Sequence, residues 1–163
     1  MFFRHRERVV QEPSVHTEPT ETFDDLLAPL PDSVHGFGTS DIVKVVGVMT
    51  AQDLLGSLAS VLPYDPVGHQ RFDVALVREP ENVADVNAVA VYLASHHLGY
   101  LPRDEAKNRQ ALIVEAEQNE LVLLGDAMLV GGGDHAWGLR VQIKPNLRNK
   151  RGEIHLADGT RRK

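Results

Sequence analysis

In RFDVALVRE (71–79) the apolar residues Phe72, Val74 and Leu76 fall on every second position, and in NAVAVYLA (87–94) Val89, Val91 and Leu93 do the same. Successive side chains of a strand point to opposite faces, so this period belongs to half-buried strands and not to helices. The second strand runs into SHH, which turns the chain back into LGYL. A chain built on such strands needs a sheet with one face covered.

The flanking segments supply the other walls. IVKVVGVM (42–49) is β-branched and reads as a strand. TAQDLLGSLASVL (50–62) follows as a helix, with Thr50 as N-cap and Asp53 in the first turn, and it stops before Pro63. Pro102 suits the first turn of a second helix, where its missing N–H has no partner to lose. Asp104 and Glu105 favour that positive end, and the helix continues through KNRQALIVEAEQ. LVLLGDAMLV, the turn GGGD and AWGLRVQIK complete two more strands. The expected fold is mainly β with two helices: a small antiparallel barrel of about six strands, its openings covered by the helices.

Composition bounds the rest. A chain of 163 residues fits one domain plus tails, and 42% hydrophobic content is enough to bury a core. The chain has no cysteine, which excludes disulfides and thiolate zinc sites and fits a reducing compartment. No apolar run approaches the roughly 18 residues of a membrane span. MFFRHRERVV offers too short an apolar segment for a secretory signal. A cytoplasmic location is expected.

The net charge of −6 argues against a nucleic-acid binder, but it is unevenly spread. Residues 140–163 hold eight Lys/Arg against two acids, a local +6, while residues 1–139 carry −12. A basic tail on an acidic body can attract phosphate that the total hides, or it can serve only as a solvated terminus. Residues 1–40 mix Pro, Ser, Thr and acids without periodicity and are expected to form a disordered or loosely docked arm. Within it FDDLLAPL is an acidic–apolar patch suited to docking on a partner or on its own domain. The expected division is this arm, a barrel domain at 41–145, and a basic tail at 146–163.

Enzyme signatures are absent. GGGD lies between strands and lacks the Lys-Ser/Thr of a phosphate loop, so it is expected to be a hairpin turn. Neither a Gly-x-Ser-x-Gly elbow nor a His-Glu-x-x-His motif occurs. His96 and His97 are adjacent and point to opposite faces of an extended chain, so they are expected to be solvent-exposed turn residues. Glu79, Glu81 and Asp85 could hold a divalent ion only in a weaker reading. No catalysis, cofactor or metal is expected.

VALVREPENVADVNAVAVYLASHHLGYLPRDEA (74–106) resembles the HIRAN domain family, the N-terminal module of helicase-like transcription factor and related ATPases. The matching elements are Arg78, Pro80 and Asn82, then Asp85, Asn87-Ala88-Val89 and Val91, then Gly99-Tyr100-Leu101-Pro102. The resemblance extends over roughly 42–144 and implies an OB-like barrel binding single-stranded DNA at its 3′ end. It implies that Asp85 reads the terminal hydroxyl, with Asn82 and Asn87 orienting it or ordering the loop. An Asx turn closed by Asp85 and Asn87 is the competing account. Tyr100 and Trp137 are candidate stacking platforms, with a core role the alternative for Trp137. Arg103, at a helix start, is a candidate phosphate contact, and Lys44 and Arg78 complete the expected DNA-binding set.

The chain departs from the family at its first strand. VKVV (43–46) stands where the helicase-like factor brings an Arg and two tyrosines to DNA, leaving Lys44 as the polar substitute, and Ala84 replaces an aromatic. The function expected is a free-standing accessory to DNA repair or replication that binds single-stranded DNA ends. A helicase, nuclease or other ATPase is its expected partner. The alternatives are a protein-interaction adaptor built on the same barrel, and a nuclease- or helicase-associated subunit.

Overall fold

The computed structural model describes residues 21–28 and 41–143 with their side chains, and the backbone of short strands at 33–37, 146–148, 154–155 and 161–162. The first half of the N-terminal arm and most of the basic tail lie outside the described residues.

A short helix α1 (Phe23–Leu27) is followed by β1 (Ser33–Phe37) and β2 (Asp41–Lys44). A 3-10 turn (Val48–Ala51) then leads into α2 (Gln52–Val61). Strands β3 (Arg71–Arg78), β4 (Val89–Leu93) and β5 (His96–Tyr100) come next, then α3 (Arg103–Gln118), β6 (Val122–Gly132) and β7 (His135–Ile143). The short strands β8 (Asn146–Arg148), β9 (Ile154–His155) and β10 (Arg161–Arg162) close the list.

Strands β2 to β7 are the six expected from the alternating pattern. They pair antiparallel in the order β5-β4-β3-β6-β7-β2. Beyond the end of β2, Val46 and Tyr100 form an antiparallel bridge, each N–H donating to the other's carbonyl at 2.9 Å. That bridge joins the first strand of the row to the last and closes the barrel. Outside it, β1 adds to β6 in parallel and β8 adds to β1.

Alternation decides which side chains face inward. Phe72, Val74 and Leu76 of β3 and Val89, Val91 and Leu93 of β4 are buried, as are Val43, Val45, Leu139, Val141 and Ile143. Leu55 and Leu58 of α2 and Ile113 and Ala116 of α3 join the same core, so each helix covers one side of it. The removal of this apolar surface from water is the main favourable term in folding.

Gly99 makes the closure possible. Its φ of +148° is unfavourable for a residue with a side chain, and a Cβ there would collide with the Val46 carbonyl oxygen and the Val45 side chain. Only a glycine lets the two backbones approach so closely.

Three local expectations are corrected. Thr50 lies inside the 3-10 turn and does not cap α2, whose N-cap is Ala51 without a side-chain hydrogen bond. Pro102 is the N-cap of α3, one residue before its first turn. His97 is half-buried, its ring edge-on between Tyr92 and Tyr100 at centroid distances of 5.3 and 4.6 Å. A register shift in the β4–β5 pairing puts His97 and Tyr100 on one face, an irregularity that strict alternation does not anticipate.

The FDDLL segment folds as α1 and buries Leu26 in the domain core. Thr22 caps it: Asp25 N–H donates to the Thr22 hydroxyl, and the Asp25 carboxylate accepts from the Thr22 N–H at 2.9 Å and from its hydroxyl at 2.7 Å. Glu21 reaches His96 on β5 at 3.2 Å.

A candidate single-strand end-binding cleft

The loop between β3 and β4 is built by short-range side-chain bonds. The Asn82 side-chain oxygen accepts from the backbone N–H of Ala84 at 3.0 Å and of Asp85 at 3.3 Å. Asp85 Oδ1 accepts from the Asn87 N–H at 2.9 Å, and Ala88 N–H donates to the Asp85 carbonyl at 2.9 Å. These are Asx turns, the conformation that short polar side chains favour. The Asn87 carbonyl in turn accepts from Gln110 of α3 at 2.8 Å. The loop is therefore fastened at both ends.

Glu79 ties this loop to the barrel seam. One of its oxygens accepts from the Asn82 amide at 2.9 Å and from the Tyr100 hydroxyl at 3.1 Å. Burial, followed by the hydrogen bond to the Glu79 carboxylate, raises the Tyr100 pKa above its ordinary value. Tyr100 therefore stays a neutral hydrogen-bond donor throughout the physiological range.

Between the loop and the seam lies an open cleft of about 250 Å³, lined by Val46, Asn82, Ala84, Asp85, Ala88, Tyr100, Leu101 and Arg103. Its floor is largely apolar, and its charged groups are one acid and one base. Asp85 Oδ2 faces Arg103 Nε at 3.5 Å, with the Asp85 side chain 21% exposed and that of Arg103 78% exposed. One Asp85 oxygen thus holds the turn and the other opens toward the cleft. Arg103 stands at the first position of α3, whose N-cap Pro102 contributes no side-chain bond. The positive end of the helix is left facing outward.

Of the eight expected site residues, the fold brings Asn82, Asp85, Tyr100 and Arg103 to this cleft. Asn87 supports the loop behind it through its backbone. Lys44 is exposed on β2, two residues before Val46. Arg78 lies away from the cleft at the end of β3, where it makes a forked ion pair to Glu117 of α3, with Nε at 3.0 and 3.1 Å from the two oxygens. That hydrogen-bonded pairing raises the Arg78 pKa.

Trp137 also lies outside the lining. Its indole Nε1 sits 3.3 Å from where a Cβ on Gly56 would stand, and its six-membered ring covers Gly132. Its backbone is clamped by Gln52, which accepts from the Trp137 N–H at 2.8 Å and donates to its carbonyl at 2.9 Å. The tryptophan fastens α2 to the β6–β7 hairpin.

Val46 and Glu79 complete the site, and their positions depend on contacts remote in sequence. Val46 lines the cleft because the barrel closes there. Glu79 bridges Asn82 and Tyr100, three and twenty-one residues away. Among the described residues no group of three or more His, Asp or Glu side chains could hold a metal ion, and one Glu79 oxygen is engaged by Asn82 and Tyr100. No helix among them is long and apolar enough to cross a membrane.

A cleft of this kind, at the seam of a small antiparallel barrel, defines a binding module. The HIRAN domain family model matches residues 62–144, just over half of the chain, and the chain belongs to that family. HIRAN domains are DNA-binding modules. Among solved structures, the crystal structure of the HIRAN domain of human HLTF is similar to this chain at 19% identity and a TM-score of 0.34, over 69% of this chain and 80% of that one. No curated protein matches the chain.

Proposed function

We propose that the cleft receives the 3′ end of a single DNA strand, with Asp85 accepting a hydrogen bond from the terminal hydroxyl. The observation that carries this reading is the division of labour at Asp85: Oδ1 is held by the turn, while Oδ2 faces the cleft beside Arg103. A fixed carboxylate accepts a hydroxyl proton but repels phosphate, so it favours a chain end over the middle of a strand. Arg103 and the N–H groups of α3 supply the charge that lets a terminal phosphodiester approach. Tyr100 in the cleft wall is the aromatic surface for the last base, and the apolar floor of Val46, Ala88 and Leu101 excludes water beneath it.

The module acts without catalysis of its own, as an accessory to DNA repair or replication. A helicase, nuclease or other ATPase supplies the chemistry. A cysteine-free chain suits the cytoplasm.

The test compares a strand ending in a 3′-hydroxyl with its 3′-phosphorylated twin by fluorescence anisotropy. The hydroxyl strand is expected to bind at least about tenfold tighter, since one charge-assisted hydrogen bond contributes about 1.5–3 kcal/mol. Asp85→Asn keeps an oxygen for the turn and is expected to shrink that ratio. Equal binding of both strands would remove the end-reading role.

A second reading, a protein-interaction adaptor, rests on the apolar rim: Val83 and Val86 on the loop are 104% and 68% exposed, and Met49 is 69% exposed. It gains if Val83→Ser/Val86→Ser abolishes pull-down of a helicase or nuclease partner while strand binding is retained.

A further inference from the structure

The outer face of the barrel carries a second charged feature beside the cleft. Val43 and Val45 point inward, so Ile42, Lys44 and Val46 share the outer face of β2. Lys44 is directly opposite Arg140 of β7, and both are exposed. Like charges directly opposite across an antiparallel pair are destabilising. Neither side chain has an ion-pair partner among the described residues. Asp126, diagonally placed on the neighbouring strand, is engaged by Arg71 at 2.8 Å, and Asp41 at the far end of β2 is engaged by Arg109. The two cations are therefore left together, uncompensated, one side-chain step from the cleft wall at Val46.

We infer that Lys44 and Arg140 form a phosphate clamp for the strand 5′ of the end bound in the cleft. The inference rests on the reading of the cleft given above and adds the path the rest of the strand takes. Two residues of β-strand span about 7 Å, close to two steps of a stacked single strand at about 3.4 Å each. A strand whose terminus lies between Asp85 and Tyr100 and which leaves across Val46 brings an internal phosphodiester onto the pair. The clamp compensates for the acid body, and the phosphate in turn relieves the repulsion between the two side chains.

The full chain is titrated with 3′-hydroxyl oligothymidylates of two and eight nucleotides, at two salt concentrations. Lys44→Gln/Arg140→Gln is expected to lower the octamer-to-dinucleotide affinity ratio at least about fivefold. The octamer's salt slope should fall by about 1.4, at about 0.7 for each lost contact. Thermal unfolding of this variant should occur at an unchanged or higher temperature, since it removes a like-charge pair. An unchanged slope and ratio overturn the clamp while leaving the cleft intact, provided Asp85→Asn still weakens both strands. If Asp85→Asn changes nothing but the double variant lowers the slope, the end-reading falls and the pair stands as a phosphate site. A wild-type chain that binds neither strand overturns both.

Discussion

Tyr100 does two things at once: its backbone closes the barrel at Val46, and its hydroxyl anchors Glu79 and through it the Asn82 loop. Tyr100→Phe keeps the first and removes the second, and is expected to cost about 1 kcal/mol of stability at neutral pH, measured by denaturant titration. The pKa of Tyr100 is raised in the folded state, so its contribution is complete below the ordinary tyrosine value of about 10 and is lost as pH rises through the folded value. The wild type should therefore lose stability on that alkaline limb faster than Tyr100→Phe. Asp65 has the opposite sign. Its pKa is lowered, first by the His69 N–H at 2.7 Å and also by Arg71, and its contribution is present above the ordinary carboxylate range and lost as pH falls through the folded value. Asp65→Asn should flatten the melting-temperature profile below about pH 4, and an unaltered profile would show that this loop does not report on folding. Single residues were only partly legible in the sequence. The spacing of Asp85 and Asn87 carries the Asx turn with it. The second oxygen of Asp85 and its distance from Arg103 depend on where α3 starts in space, which spacing does not carry.

Elements were the most legible scale, because strands advertise themselves by period two and turns by glycine. Phe72, Val74, Leu76, Val89, Val91 and Leu93 all point into the core as their alternation requires. The half-turn before α2 was not legible: Thr50 has the chemistry of a cap, but the 3-10 turn takes it up and Ala51 holds the position. Trp137 shows the same limit from the other side. A lone tryptophan beside a glycine is equally at home on a base or in a core, and only the pairing of β6 with β7 and the docking of α2 place it over Gly132 and against Gly56. Trp137→Ala is expected to cost about 3 kcal/mol, measured as a shift in the denaturation midpoint. Its strand affinity per folded molecule should change far less than that of Asp85→Asn. Gly99→Ala should destabilise by about 2–4 kcal/mol, combining backbone strain with an overpacked seam. A neutral result would show that β5 can retreat from Val46 without loss.

At the scale of the whole molecule, the net charge of −6 is a poor guide to what the surface can bind. Acids such as Glu117, Asp126 and Asp41 are consumed by Arg78, Arg71 and Arg109, and surface pairs of this kind add little stability. Arg103, Lys44 and Arg140 lie near the cleft on one side of the barrel, where composition cannot place them. Among the described residues the barrel is held shut at the seam by two backbone hydrogen bonds, between Val46 and Tyr100, while the other pairings of the barrel run in ladders of four to six residues. The seam is thus the natural place for the structure to breathe, and it is also the wall of the cleft. A ligand seated there works as a clasp, because opening the ring would require releasing it. Amide exchange at Val46 and Tyr100 should then be faster than at Val74 or Val141 in the free protein and slow selectively when a strand is added, turning occupancy of the cleft into a mechanical signal that a partner touching β2 or β5 could sense.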